Sequence, residues 1–245
     1  MIFICILSNI LMLVSVVIAA LNEEDYIGKA LETLRQQKTT HEFEIIVGDG
    51  YSTDRTVEIA KSYGARVVRE KRRSAAWERQ AGARAAKGDI IAFTDADAQL
   101  PAHWVQSIAA FFESNPKAAM AYGPVYFSDA SSIERAMSQF VMDSCLFACS
   151  CAGLHNPVGS NMALRRDAFE KAKGFDTRLV TAEDLDLAKR IAHFGQVRYH
   201  TGLYVSVSAR RVKKWGYMYY SAFHIANALR FHLTGKSQKE YIPVR

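Results

Sequence analysis

The chain has 245 residues, 49% hydrophobic and 23% charged, with four cysteines and a formal net charge of +6. Those proportions fit one large domain or two small ones, exclude a low-complexity chain, and give no reason to invoke an oxidising compartment. The basic excess suits a phosphate-bearing ligand, a nucleic acid or an anionic membrane surface, without choosing among them.

Residues 1–21 carry no charge, but "LVSVVIAA" at 13–20 reads as a buried strand running into a polar loop. Too few residues precede it for a span of roughly 20 residues, so 1–12 is expected to be an apolar extension, with a short membrane-dipping anchor as the alternative. "EEDYIGKALETLRQQ" (23–37) predicts an amphipathic helix with acids in its first turn. "FEIIVG" (43–48) is a second strand, and "STDRTVEIAKSYG" (52–64) a second helix closed by Gly64. A third strand, helix and fourth strand follow at 65–70, 74–88 and 89–94, then a helix with Pro101 at its first position. Later come a strand bent near Gly123-Pro124, a helix over 131–150 and a loop, short strand and helix over 152–169. A helix over 181–195 has Glu183 and Asp184 in its first turn; strands near 197–200 and 203–207 precede a helical tail from Val212 to Leu233. The fold class is therefore α/β, with a mainly parallel, Rossmann-like sheet flanked by helices. A single domain over 13–211 carries a C-terminal helical appendage over 212–245.

Ligands bind such sheets at the carboxyl ends of the strands. Three of those ends are polar: Asn22-Glu23, Asp49 and Asp95-Ala96-Asp97. Two carboxylates one residue apart can aim into one crevice and suit Mg²⁺ or Mn²⁺, hard cations that favour oxygen. The competing reading is a cap for the helix at Pro101. "GDGYST" (48–53) lacks the third glycine of a dinucleotide fingerprint. Asp49 there offers an acceptor to a base N–H or closes an Asx-type turn, with Ser52 as helix cap. Arg69, Lys71, Arg72, Arg73 and Arg79 form a solvated face or an anion-binding rim, Arg79 being the most specific candidate. Glu183 and Asp184 complement a helix dipole, and either is a candidate general base if it faces the crevice. Cys145, Cys149 and Cys151 fit no metal spacing and read as small buried hydrophobes.

"VVIAALNEEDYI", "EIIVGDGYSTDRT", "GARAAKGDIIAFTDADAQLP" and "GFDTRLVTAEDLDLAKRIAHFG" occur in the order and rough spacing of family 2 glycosyltransferases of the GT-A fold, a resemblance covering about residues 13–200. The resemblance implies an inverting transfer of one sugar from a UDP- or GDP-sugar, with Mg²⁺ or Mn²⁺, to a glycan or lipid-linked acceptor, and no nucleic-acid partner. It implies that Ala20, Asn22 and Glu23 line the nucleoside pocket and that Asp49 accepts from the base. Arg79 would lie near base or phosphate, Asp95 at the ribose or metal shell and Asp97 on the metal. Asp184 would deprotonate the acceptor, with Glu183 and Asn161 on the acceptor side. The sequence departs from the pattern at Gly48, where an acid is common, and at Trp77 and Glu78. It lacks the "QxxRW" of processive synthases, and no histidine clearly supplies a third metal position, His200 and Ser208 being the candidates.

A sugar-phosphate nucleotidyltransferase would need a Gly-rich loop where "AALNEED" stands. A phosphohydrolase with Asp95 as nucleophile would need threonine at Gln99. A catalytically altered sugar-nucleotide-binding protein is disfavoured by intact Asp97 and Asp184. In the tail, Trp215, Tyr219, Ala222, Ala226, Leu229 and Leu233 share a helical stripe flanked by Lys213, Lys214, Arg230 and Lys236. That stripe either packs on the domain or lies on an anionic membrane. The expected location is the cytoplasm, with peripheral contact at the inner face of the membrane under the second reading.

Overall fold

A computed structural model describes residues 11–128 and 132–238. Cys5, most of the expected N-terminal extension and the last seven residues lie outside them. In chain order the first half is β1 Leu13–Ala20, α1 Ile27–Arg35, β2 Glu42–Asp49, α2 Thr56–Ser62, β3 Arg66–Arg69, α3 Ala75–Ala85, β4 Ile90–Asp95 and α4 Trp104–Ser114. The second half is β5 Ala118–Tyr122, β6 Val125–Phe127, α5 Ser132–Cys151, β7 Met162–Arg165, α6 Arg166–Lys171, α7 Glu183–Ile191, β8 Gln196–Tyr199, β9 Val205–Val207, α8 Arg210–Trp215 and α9 Tyr217–Thr234.

Seven strands form one sheet in the order β3-β2-β1-β4-β7-β5-β8, while β6 and β9 make a small parallel pair. Only β7 runs antiparallel to its neighbours. The continuous apolar runs arise because both faces are covered. On β1, Val14, Val16 and Ile18 meet Leu31 of α1 and Trp104 and Phe112 of α4 on one side. Val17, with Ile91 and Phe93 of β4, meets Phe169, Leu187 and Ile191 on the other. Among the described residues no helix is long and apolar enough to cross a membrane.

Several helix starts differ from expectation, each because a tertiary contact outweighs local propensity. α1 begins at Ile27 with no acid in its first turn, since the Glu23 carbonyl accepts from Tyr26 and Ile27 in a preceding turn. α4 begins at Trp104 rather than Pro101, and its Val105 N–H is satisfied by Gln37 Oε1 at 3.0 Å. The carboxylates at 95 and 97 therefore do not cap it. Ser52 does not cap α2; its hydroxyl accepts the Asn22 N–H at 2.9 Å, and Asp54 Oδ1 takes the Thr56 N–H. Gly64, at φ 77°, does close α2.

The tail is two helices, broken at Gly216 with φ 80°. The break resets the helical phase, so α9 packs through Tyr220, Phe223, His224, Asn227 and Phe231. Of the two readings of the stripe, packing on the domain is not realised beyond Trp215: Tyr219 and Leu229 are each 56% exposed and Leu233 82%. The cysteines are also corrected, Cys145 and Cys151 being exposed and Cys149 half-buried, because α5 covers the sheet with only part of its circumference.

Gly48 has a packing reason. A Cβ there would lie 2.0 Å from the backbone carbonyl oxygen of Glu78, where α3 crosses the end of β2. Gly48→Ala is therefore expected to cost about 2–3 kcal/mol through overpacking, read as a melting temperature lowered by several degrees; an unchanged melt would remove the close approach as the reason for glycine.

Candidate active site

The parallel register brings the acidic strand ends side by side: Ala20 lies opposite Asp49, and Ala19 opposite Asp95. The loops after β1 and β2 are laced together. Asn22, in the left-handed region at φ 55°, accepts the Thr53 N–H at 2.9 Å, Thr56 Oγ1 accepts the Glu23 N–H at 2.7 Å, and Ala20 O accepts the Gly50 N–H at 2.9 Å. Asp49 is fully buried, accepting the Ser52 N–H at 3.1 Å and Arg69 Nε at 3.1 Å. The turn reading of Asp49 is thus realised, and its carboxylate has no open face for a base. Arg69 lies 4.4 Å from the centre of the Tyr51 ring, and Arg72 lies 3.4 Å from that of Trp77, so these cations edge the same end of the cleft.

Arg79 stands at the centre. Its guanidinium donates to Asp95 Oδ1 and Glu183 Oε1, both at 2.8 Å, joining the end of β4 to the start of α7. Burial alone would lower its pKa; Asp95 and Glu183 outweigh that and hold the charge. Gly159 lies against this guanidinium, and a Cβ there would fall 2.3 Å from Cζ. The same glycine's N–H donates to Asp184 Oδ2 at 3.0 Å, while Asp184 Oδ1 accepts the Leu185 N–H at 2.9 Å. Burial first, and Glu183 second, raise the Asp184 carboxyl to about 7 despite Arg79.

Asp97 faces the opposite side of the cleft. Burial raises it to about 7, with Asp95 adding and Arg210 opposing. Arg210 was not anticipated. It donates both terminal nitrogens to Glu23 at 2.8 Å, places Nε 3.2 Å from Asp97 Oδ2 and lies 4.4 Å from the centre of the Tyr26 ring. The one trace of it in the sequence was the Arg210-Arg211 pair just past the last strand. Tyr220 of α9 joins this side: burial raises its phenol, Arg211 opposes, and Asp95 and Asp97 add to the rise.

Asn161 is drawn away from the acceptor side. It is 2% exposed, its amide donates to the Pro124 carbonyl at 2.9 Å and its Oδ1 accepts from Trp104 Nε1 at 3.2 Å, so it clamps the scaffold. His200 packs on Phe111 with Nδ1 accepting the Gly202 N–H at 2.9 Å, and Ser208 Oγ accepts the Arg210 N–H at 3.2 Å. Among the described residues no three His, Cys, Asp or Glu side chains gather as a metal site. Asp97, with Asp95 two residues before it, nevertheless offers the one or two carboxylates by which Mg²⁺ and Mn²⁺ are held when phosphate oxygens and water complete the shell.

Comparison with known proteins follows the same lines. An uncharacterized glycosyltransferase of Haemophilus influenzae is 27% identical over 193 residues, covering 73% of this chain and 62% of the relative. A mannosyltransferase from Pyrobaculum calidifontis, solved with GDP-Man and Mn²⁺, superposes with TM-score 0.70 at 20% identity over 93% of this chain and 66% of that one. Glucosyl-3-phosphoglycerate synthase from Mycobacterium tuberculosis, solved with Mn²⁺, UDP and glucosyl-3-phosphoglycerate, superposes with TM-score 0.62 at 22% identity, covering 93% of this chain and 82% of that one. The chain thus spans less than two thirds of the length of the first two. The architecture is that of GT-A structures, and the family described as glycosyl transferase family 2 matches residues 15–172; with that match over more than half its length, the chain belongs to that family.

Proposed function

We propose that the chain is an inverting, metal-dependent glycosyltransferase that moves one sugar from a nucleotide-sugar donor to a hydroxyl or lipid-phosphate acceptor. The observation that carries this reading is the pair of separate, half-buried acid centres, Asp97 and Asp184, on either side of the Arg79 bridge. Inverting transfer asks for a charge-stabilising centre at the leaving group and a base on the opposite face. Relatives in fold solved with GDP-Man or UDP and Mn²⁺ support the donor class and the cation.

In this reading Ala20, Asn22 and Glu23 wall the nucleoside, and Tyr51 with Arg69 borders the base, ordered by Asp49. Asp95 faces the ribose and is fixed by Arg79. Asp97 holds the Mg²⁺ or Mn²⁺, which when bound supplies positive charge to the leaving diphosphate. Asp184 takes the acceptor hydroxyl's proton on a carboxylate held by two backbone N–H groups. Glu183 keeps Arg79 in place behind it.

The outward face of α9 supports a membrane-borne acceptor. Met218, Tyr219, Ile225, Leu229 and Leu233 are exposed, and no acid occurs between Val212 and Gln238. Lys213, Lys214, Arg230 and Lys236 supply the cations that an interfacial helix presents to anionic lipid. The proposed location is the cytoplasmic face of the membrane.

Asp184→Asn is expected to keep donor binding and lose transfer by roughly 10²–10⁴-fold; loss of donor binding with normal turnover of what does bind would show that the base is elsewhere. Because Asp184 works deprotonated and its pKa is raised to about 7, kcat/KM should rise with pH through that value and fall about tenfold per unit below it. A profile flat down to pH ~5 would contradict the raised carboxyl. Asp97→Ala should abolish Mn²⁺-dependent donor turnover, and retained activity would sink the metal assignment. Flotation with phosphatidylglycerol vesicles should carry the full chain and lose it in Leu229→Glu/Leu233→Glu; equal flotation of both would sink the interfacial role of α9.

A further inference from the structure

Arg210 is ion-paired with the carboxylate of Asp97, the group proposed to take the cation. Its Nε sits 3.2 Å from Asp97 Oδ2 while its other nitrogens grip Glu23 at 2.8 Å, so one guanidinium neutralises both acids on this side of the cleft. The placement is built rather than incidental. Gln99, two residues past Asp97, exchanges backbone hydrogen bonds with Ser206 of β9 at 2.6 and 3.1 Å, tying the Asp97 loop to the strand that leads into Arg210. Ser208 Oγ accepts the Arg210 N–H at 3.2 Å, and the guanidinium rests over Tyr26. Burial opposes its charge, but Glu23 and Asp97 outweigh burial and keep it protonated.

A divalent cation on Asp97 and a guanidinium on the same carboxylate oxygen repel at this range. A nucleoside diphosphate changes the balance, because its oxygens accept bidentate guanidinium hydrogen bonds as readily as carboxylates do. We infer that Arg210 serves as counter-ion to Asp97 and Glu23 whenever no donor is bound: it opposes metal that arrives alone, and it moves from Asp97 to the diphosphate when metal and nucleotide arrive together. Arg210 therefore couples metal to nucleotide, opposing the first without the second and favouring the pair. Metal and guanidinium disfavour each other on Asp97, and the diphosphate favours both, so the coupling changes sign with the diphosphate present. The inference rests on the proposed metal role of Asp97.

Mn²⁺ binding to the full chain, followed by the free-ion electron paramagnetic resonance signal with and without UDP or GDP, tests it with no turnover involved. Arg210→Gln is expected to bind Mn²⁺ alone about tenfold more tightly than the parent, and Mn²⁺ with the preferred nucleotide about tenfold more weakly. Equal or weaker binding of Mn²⁺ alone, or a change of the same sign in both conditions, overturns the inference. Arg210→Lys, which keeps the charge but cannot span Glu23 and Asp97 together, should shift both affinities in the same directions by less. It decides the matter by the same criteria if the glutamine variant does not fold. Asp97→Ala separates the two levels: unchanged nucleotide-dependent Mn²⁺ uptake there would remove the metal reading itself, whatever the Arg210 variants do.

Discussion

The site depends on one buried cation held between two acids. Arg79 is 5% exposed, and its two ion pairs join the end of a central strand to the first turn of a helix that follows almost the whole domain. Arg79 and Glu183 are desolvated together while Asp95 keeps a 36% exposed side chain, so removing Glu183 would leave a buried cation short of a partner, at a cost of about 3–5 kcal/mol for a fully buried pair. Arg79 thereby fixes the spacing between the two sides of the cleft. It also leaves the neighbouring Asp184 only partly compensated, so burial and Glu183 can hold that carboxyl near the pH at which a general base is effective. Gly159 makes the arrangement possible from both ends, giving the guanidinium room and giving Asp184 a backbone donor.

The same device recurs around the cleft. Asp49 is paired with Arg69, Asp95 and Glu183 with Arg79, and Glu23 and Asp97 with Arg210. Each acid sits at a strand end or a helix start, and each arginine arrives from another element. A cleft lined with unpaired carboxylates would repel itself and resist folding. One lined with exchangeable ion pairs folds neutral and can hand its arginines to an anionic ligand. Arg69 and Arg210, at 48% and 20% side-chain exposure, are the pairs open enough to exchange, whereas Arg79 at 6% is fixed structure.

This division explains which parts were legible in the sequence. β1, β2 and β4 were readable because a strand covered on both faces needs a continuous apolar run, and their acidic ends stood out against it. The start of α7 with Glu183 and Asp184 was readable from its own residues. Helix starts set by distant partners were not: Gln37 supplies the acceptor for the Val105 N–H at α4, and Glu23 turns to an arginine 187 residues away. The buried state of Asp49 was equally hidden, since a buried aspartate in a turn and an open one look alike in sequence. α9 shows a different failure. It has apolar residues around most of its circumference, so periodicity alone could not choose a face, and the break at Gly216 shifted the phase.

The face that α9 does bury connects several parts of the site. Tyr220 feels Asp95 and Asp97, Asn227 meets Thr181 beside Glu183, and His232 Nε2 lies 2.9 Å from Asn156 Oδ1, in the loop that carries Gly159 to Asp184. One helix thus reaches from the neighbourhood of Asp95 and Asp97 to Thr181 and the Asn156 loop. Its opposite side is the exposed apolar one. A helix built in this way cannot lie on a surface without setting the cleft's orientation to that surface, because the two faces are fixed about a single axis. Arg210 adds the link to chemistry: it opens α8, and α8 leads through Gly216 into α9. The arginine paired with Asp97 and the helix that reaches Thr181 are therefore consecutive in the chain, so under the proposed exchange a change at Asp97 would be felt by α9.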